Sequence, residues 1–414
     1  MSCPYLEPSD LPRGTSGSPR SLRAKAAAAG KRGPYLGTYY SEYLQLDKFL
    51  DCQKPLSGSD DHAPAHEELL FITVHQSHEL WFKLIIADLA RVHEILTGSV
   101  ASIDPLSLPV EADLARAIAS LERVKSIQPM LLQKLTVLET MTPMEFLEFR
   151  DFLVPASGFQ SWQFRIVEIL LGLSTNGRQN MSHEYMRTKL HPEHYERITE
   201  WENRPSLLDL TEAWLEHMPW LAGKQHLLDD SPLGDDRFDW MSRYKQAVYA
   251  ALDSEEVTIR TVFGELGGLA DLMETELDQV RINRTSFDSL FNPEQHEEMI
   301  SRGVRKFSQK AVLNAIFAYL YRDLTALHSP YRFLNLLVEI DDGFTSWRYR
   351  HAQMAHRMIG RKMGTGATSG ADHLLRVAQQ NSSFKDLRNL STFLISTSKL
   401  PPLPPTVLAV LAHH

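Results

Sequence analysis

Cysteine is almost absent, with Cys3 and Cys52 the only two among 414 residues. Two thiols cannot build a disulfide scaffold, a cysteine zinc site or an iron–sulfur cluster, and their scarcity suits a reducing compartment. No apolar run approaches the length that spans a bilayer, and the start of the chain shows no secretory pattern. An excess of positive charge is lacking as well. The 43 Lys and Arg face 52 Asp and Glu, a formal net charge of −9, which argues against nucleic acid or an anionic membrane as the main partner. The expectation is a soluble, cytoplasmic protein. Also missing are a series of alternating β-branched strands and any repeat period. There is no HExxH, and no histidine completes an ExxH pair, so the zinc-protease and di-iron carboxylate templates fail.

What is present is helical periodicity, in a chain whose 43% hydrophobic and 23% charged residues are ordinary for a globular protein. The expected class is all-α, one large helical domain over residues 35–396 with a variable helical excursion at 176–300. Residues 1–34 form a basic tail. From Leu11 to Ser41 there is no acid and there are six bases, set among Gly, Ser and Ala. That composition is typical of disorder, while a targeting peptide or an interaction arm would look similar. Residues 397–414, with the run KLPPLPPTVLAVLAHH, read as a proline-broken tail.

Local signals divide the domain. Asp60, Asp61 and Pro64 mark the start of a helix that runs to about Leu96 and stops at Gly98. A second is expected at about 110–140, kinked or split at Pro129. TPME at 142–145 is a capping box with proline at the first helical position, opening a short helix to about Leu153. Pro155 and Gly158 then break the chain before a helix from about Gln160 to Leu173. Further helices are expected near 305–323 and 330–359, followed by a glycine-rich GTGATSG at 364–370.

Chemistry concentrates at four places. In FITVHQSHELWFKLI, Leu70, Val74, Trp81, Ile85, Leu89 and Val92 make a core stripe, with Phe71, His75, His78, Glu79 and Phe82 beside it. His75 lies one turn from Phe71, which suits an aromatic ligand whose edge meets an imidazole. A core histidine bonded to a carbonyl is the plainer reading, and His78 reads as a residue at the rim or just behind the ligand-contacting side chains. Phe146 and Arg150 are one turn apart, where a guanidinium could fork onto a carboxylate; an exposed arginine paired with Glu145 or Glu148 is the alternative. Ser157 and Gly158 follow, at a point where backbone could approach a flat ligand. Trp347, His351, Met354 and Met358 share a stripe that would suit the wall of a haem pocket, one imidazole for iron and apolar surface for the macrocycle, although core packing explains such a stripe too. His356 faces elsewhere. GTGATSG has neither the lysine of a phosphate loop nor dinucleotide spacing, but its N–H donors with Thr365 and Thr368 could close over a carboxylate or ammonium.

Together these pieces resemble one family. YSEYLQLD (40–47), ELLFITVHQSHELWFK (68–83), VLETMTPMEFLEFRDFLVPASGFQS (137–161), WRYRH with HRMIGRKMGTGATSG (347–370) and NLSTFLI (389–395) are similar, in order, to the tryptophan 2,3-dioxygenase family, with a weaker match at SQKAVLNAIFAYLYRD (308–323). The resemblance implies an all-α protein with a haem b pocket, assembled as a homotetramer, a dimer of dimers. It implies cleavage of the indole C2–C3 bond of L-tryptophan by O₂ to N-formyl-L-kynurenine. By position, His351 matches the proximal ligand of the ferrous iron, and Trp347, Ser157 and Gly158 match cofactor-binding residues. His75 matches the distal catalytic histidine that meets the indole N–H, and Phe71 and Phe146 match the pocket aromatics. Arg150 matches the carboxylate clamp, Thr365 the contact to ammonium and carboxylate, and Tyr40 and Tyr43 the tyrosines lent by a neighbouring subunit. Some residues depart from the pattern: Ala367 and Thr368 in a loop that usually reads GTGGSSG, Ser41 for glycine, Ser77 and His78 after the distal HQ, and Leu135 for an aromatic. They leave a close indole analogue in view, through a related haem oxygenase that inserts one oxygen, or a non-enzymatic haem- or tryptophan-sensing module.

Overall fold

A computed structural model describes residues 39–59, 63–101, 111–173, 183–218, 239–267, 269–360, 362–364 and 382–412, together with 25, 374–376 and 378. The described residues form helices and no strand, so the all-α expectation holds. Two short helices, α1 (Tyr40–Leu44) and α2 (Leu46–Phe49), precede the long α3 (His66–Ala101), α4 (Glu111–Leu138), α5 (Pro143–Arg150) and α6 (Trp162–Leu170). Next come α7 (His183–Lys189), α8 (Pro192–Glu202), α9 (Leu207–His217), α10 (Trp240–Leu266), α11 (Ala270–Phe291) and α12 (Pro293–Ser301). The chain closes with α13 (Gln309–Leu320), α14 (Thr325–Ile359), α15 (Lys385–Arg388) and α16 (Pro405–Ala412). No described helix is long and apolar enough to cross a membrane. Most of the expected basic tail lies outside the described residues.

The punctuation read from sequence yields to packing in several places. α3 starts at His66, later than Asp60 and Asp61 suggest and two residues after Pro64. Ser57 Oγ accepts from Ala65 N at 2.8 Å, and the buried Glu68 carboxylate accepts from Leu56 N, Ser57 N and Ser57 Oγ. The chain before the helix is therefore tied back onto its first turn. Gly98 does not stop α3, which continues to Ala101. A glycine inside a helix costs about 1 kcal/mol, less than burial of neighbours such as Val92 and Leu96 gains. Pro129 likewise sits inside a continuous α4, whose stripe Leu114, Ala117, Leu121, Val124, Leu131 and Leu135 is buried throughout. α14 begins at Thr325 and carries Pro330 within it, while α13 is shorter than expected, capped by Ser308. The capping box at Thr142 and Glu145 is present as read, with a single 3₁₀ turn over Asp151–Leu153 after α5 and another over Gly158–Gln160 before α6.

α4 packs along both α3 and α14, and these three helices frame the molecule. A main core runs from their inner halves through α6, α9, α10 and α13. A second, smaller apolar cluster gathers Val74, Leu135, Leu138, Met141, Phe146, Phe149, Met354 and Met358, where α3, α4, α5 and α14 meet. α10 and α11 lie against each other as a hairpin, and only the inner part of α10, with Trp240, Tyr244, Val248 and Leu252, is buried. At the C-terminal end, Tyr321 Oη donates to the Pro401 carbonyl at 2.7 Å, and Leu403 and Leu411 join the main core.

The α4–α14 contact depends on one glycine. A Cβ on Gly343 would stand 2.1 Å from Gln128 Oε1, and buried Gln128 cannot swing away without giving up its 2.7 Å bond to the Ile340 carbonyl. Gly343→Ala is therefore expected to destabilise the fold by about 1–3 kcal/mol, despite alanine's better helix propensity. A urea denaturation midpoint equal to or above wild type would refute the close-approach account.

Candidate active site

The smaller apolar cluster is where the sequence candidates converge. On α3, Phe71 and His75 lie one turn apart with ring centroids 4.1 Å from each other and planes tilted by 34°; Phe146 of α5 lies 5.8 Å from Phe71, with fully buried Phe149 behind them. His75 Nδ1 is 2.7 Å from the Phe71 carbonyl. A carbonyl only accepts, so Nδ1 carries the proton and Nε2 presents a lone pair. The ring is accessible, yet desolvation by the protein around it lowers its pKa, against the Phe71 carbonyl and Glu79, which act to raise it. Accessibility combined with desolvation marks the wall of a concavity, not an outer surface.

The facing wall belongs to α14. Trp347 and His351 stack with planes 7° apart and centroids at 5.4 Å, and Met354 and Met358 are buried further along the same stripe. His351 is half-buried and makes no hydrogen bond among the described residues. Desolvation pulls its pKa from 6.5 to about 4, with His75 and His78 acting in the same direction across the cavity. His351 is thus a neutral imidazole with a nitrogen lone pair to offer. That donor, flanked by Trp347, Met354, Met358, Leu135 and Phe146, fits the iron and apolar macrocycle of a haem.

Arg150 closes one end. Its guanidinium donates to the Met363 carbonyl, at the base of the glycine-rich stretch, and its Nε is buried without a partner. No ion pair joins it to Glu145 or Glu148 among the described residues; Glu145 is engaged in the capping box with Thr142. Ser157 caps the 3₁₀ turn that contains Gly158, and a Cβ on Gly158 would meet nothing within 4 Å. Space for a flat ligand is therefore open above it. From that turn α6 carries Phe164 to 5.0 Å from Trp347. Tyr40 and Tyr43 are not brought to the cavity within this chain; they stand 75% and 74% exposed on α1. Thr365 and Thr368 lie outside the described residues.

With this geometry established, comparison with known proteins is direct. The sequence profile described as tryptophan 2,3-dioxygenase matches residues 24–394. The chain belongs to the tryptophan 2,3-dioxygenase family. Among relatives of that name, one from Bdellovibrio bacteriovorus is 36% identical over 384 residues, 92% of this chain and 99% of the relative. One from Alteromonas mediterranea is 36% identical, over 89% of this chain and 95% of the relative. One from Dictyostelium discoideum is 37% identical, over 90% and 87%.

Two features of this family member escaped the sequence reading. Buried Glu168 is paired with both Arg165, at 2.7 Å, and Arg348, at 3.2 Å. The second arginine of that triad sits in plain view in WRYRH, but its buried partner comes from a distant helix. His78 is 7% exposed, not a rim residue; its Nδ1 bonds the Val74 carbonyl at 2.9 Å and its Nε2 is buried without a partner. Desolvation lowers its pKa to about 4.

The pH consequence has a definite sign. His78 and His351 titrate at about 4 in the folded chain and near 6.5 when exposed. Between those values the unfolded chain binds more protons, so their contribution to stability is full above pH 6.5 and is lost as pH falls toward 4. In the ligand-free protein, His78→Gln should flatten the fall of the urea midpoint between pH 7 and pH 4.5. A pH profile parallel to wild type would show that His78 does not take up a proton on unfolding.

Proposed function

We propose that this protein is a haem-dependent dioxygenase that cleaves the indole C2–C3 bond of L-tryptophan with O₂, giving N-formyl-L-kynurenine and placing both oxygen atoms in the product. The single observation that carries the reading is the convergence of His75 on α3 and His351 on α14 at one apolar cluster, with Phe71 and Phe146 beside His75. Membership of the family supports it.

In this reading His351 would hold the iron, and Trp347, Ser157 and Gly158 would contact the macrocycle. When bound, haem supplies the activation of O₂ that the side chains alone cannot provide. Phe71 and Phe146 flank the indole, and His75 Nε2 accepts its N–H, a role open only to the neutral ring that desolvation maintains. Arg150 turns its guanidinium to the carboxylate, and Thr365 contacts carboxylate and ammonium. Holding the amino acid at both ends fixes the indole relative to the oxygen, which is positional catalysis. The apolar cluster of Val74, Leu135, Phe146 and Met354 excludes bulk water around the ring. Tyr40 and Tyr43, exposed on α1, complete the site of a neighbouring subunit in a homotetramer, a dimer of dimers acting in the cytoplasm. Residues 35–396 are the catalytic domain.

The deciding assay is turnover. Reduced, haem-loaded protein with O₂ and L-tryptophan should yield formylkynurenine carrying two ¹⁸O atoms from ¹⁸O₂; stoichiometric binding with no product would overturn the reading. His351→Ala should abolish stable haem binding, and an unchanged haem spectrum would move the ligand elsewhere. Arg150→Ala removes a charge-assisted contact worth about 1.5–3 kcal/mol, roughly ten- to hundredfold in KM for L-tryptophan. An equal rise for an indole lacking the carboxylate would exclude Arg150 as the clamp.

A further inference from the structure

His78 and Trp347 present complementary orphans. The Val74 carbonyl fixes the proton on His78 Nδ1, so the buried Nε2 can only accept. Trp347 Nε1 can only donate, and it too is buried without a partner. Their ring centroids are 6.0 Å apart at 51°, and the two nitrogens are not hydrogen-bonded to each other. A lone pair and a donor so placed are what one buried water satisfies from both sides.

The phenylalanine rings packed on Trp347 do not choose its orientation by themselves. Phe82 meets the indole edge-on at 6.1 Å and 89°, and Phe164 lies tilted at 5.0 Å. Such ring contacts hold the indole in place, whereas a directional N–H bond selects which way it turns. The orientation matters because the indole lies flat on His351, with planes 7° apart.

We propose that one buried water joins His78 Nε2 and Trp347 Nε1, and that this bridge locks the Trp347 ring flat against His351. His78 is thereby a positioning residue for the iron-ligating imidazole. It acts through Trp347 and touches neither the substrate nor the iron. The bridge links α3 and α14 at one point, and it depends on an acceptor at position 78. The proposal rests on His351 being the iron ligand.

The test is the iron–histidine stretching band of the reduced, haem-loaded protein in resonance Raman, which reads the proximal bond independently of turnover. His78→Phe and Trp347→Phe should each shift that band, and the double variant should shift it no further than either alone. His78→Gln, which retains an acceptor, should keep the wild-type band. A wild-type band in His78→Phe, or additive shifts in the double variant, would overturn the proposal. Should His78→Phe not fold, the contrast between a shifted Trp347→Phe and an unshifted His78→Gln supports the bridge, and an unshifted Trp347→Phe overturns it. An unchanged haem spectrum in His351→Ala would sink the ligand assignment along with the bridge, whereas its loss beside an unshifted His78→Phe would sink the bridge alone.

Discussion

Two imidazoles from opposite ends of the chain line one cavity because α4 lies along both α3 and α14 at a separation fixed by Gly343 and Gln128. Everything chemical in the molecule follows from that approach. A side chain at position 343 would force Gln128 off the Ile340 carbonyl and move the helix bearing His351 away from the helix bearing His75. The apolar cluster between them would open to water, and the desolvation that keeps both rings neutral would fade. Packing here is the means by which the histidines acquire their chemistry.

The polar groups around that cavity divide into those satisfied by the fold and those left available. Gln76 and Glu79, in the same short run as the histidines, are structural: Gln76 bonds Gln53 and the Cys52 carbonyl, and Glu79 accepts from Gln163. Glu168 is consumed by two arginines. By contrast, Arg150 Nε is buried without a partner, and a buried polar group so left is costly.

Much of this could be read from residue order. The capping box at Thr142, the stripe Trp347, His351, Met354, Met358 and the pairing of Phe71 with His75 are local patterns, and each reappears as geometry. What could not be read were effects of distant partners. The segment before α3 is tied back by Ser57 and Glu68, and the helix begins at His66, past Asp60 and Asp61. Gly98 and Pro129 are local breakers overruled by burial on faces that only tertiary contact creates. His78 looked peripheral because its surroundings, Phe82 aside, come from α4 and α14.

Gln76 follows His75 directly, and on a helix adjacent side chains point about 100° apart. One therefore reaches into the cavity while the next reaches out to the segment carrying α1 and α2, through Gln53 and Cys52. The wall of the site and the mooring of the N-terminal segment are the same turn of helix. A phenotype arising from position 76, or from the residues it moors, would resemble a defect in chemistry while originating in an anchor. Genetic maps of activity in this protein will for that reason extend beyond the residues that could ever touch a substrate.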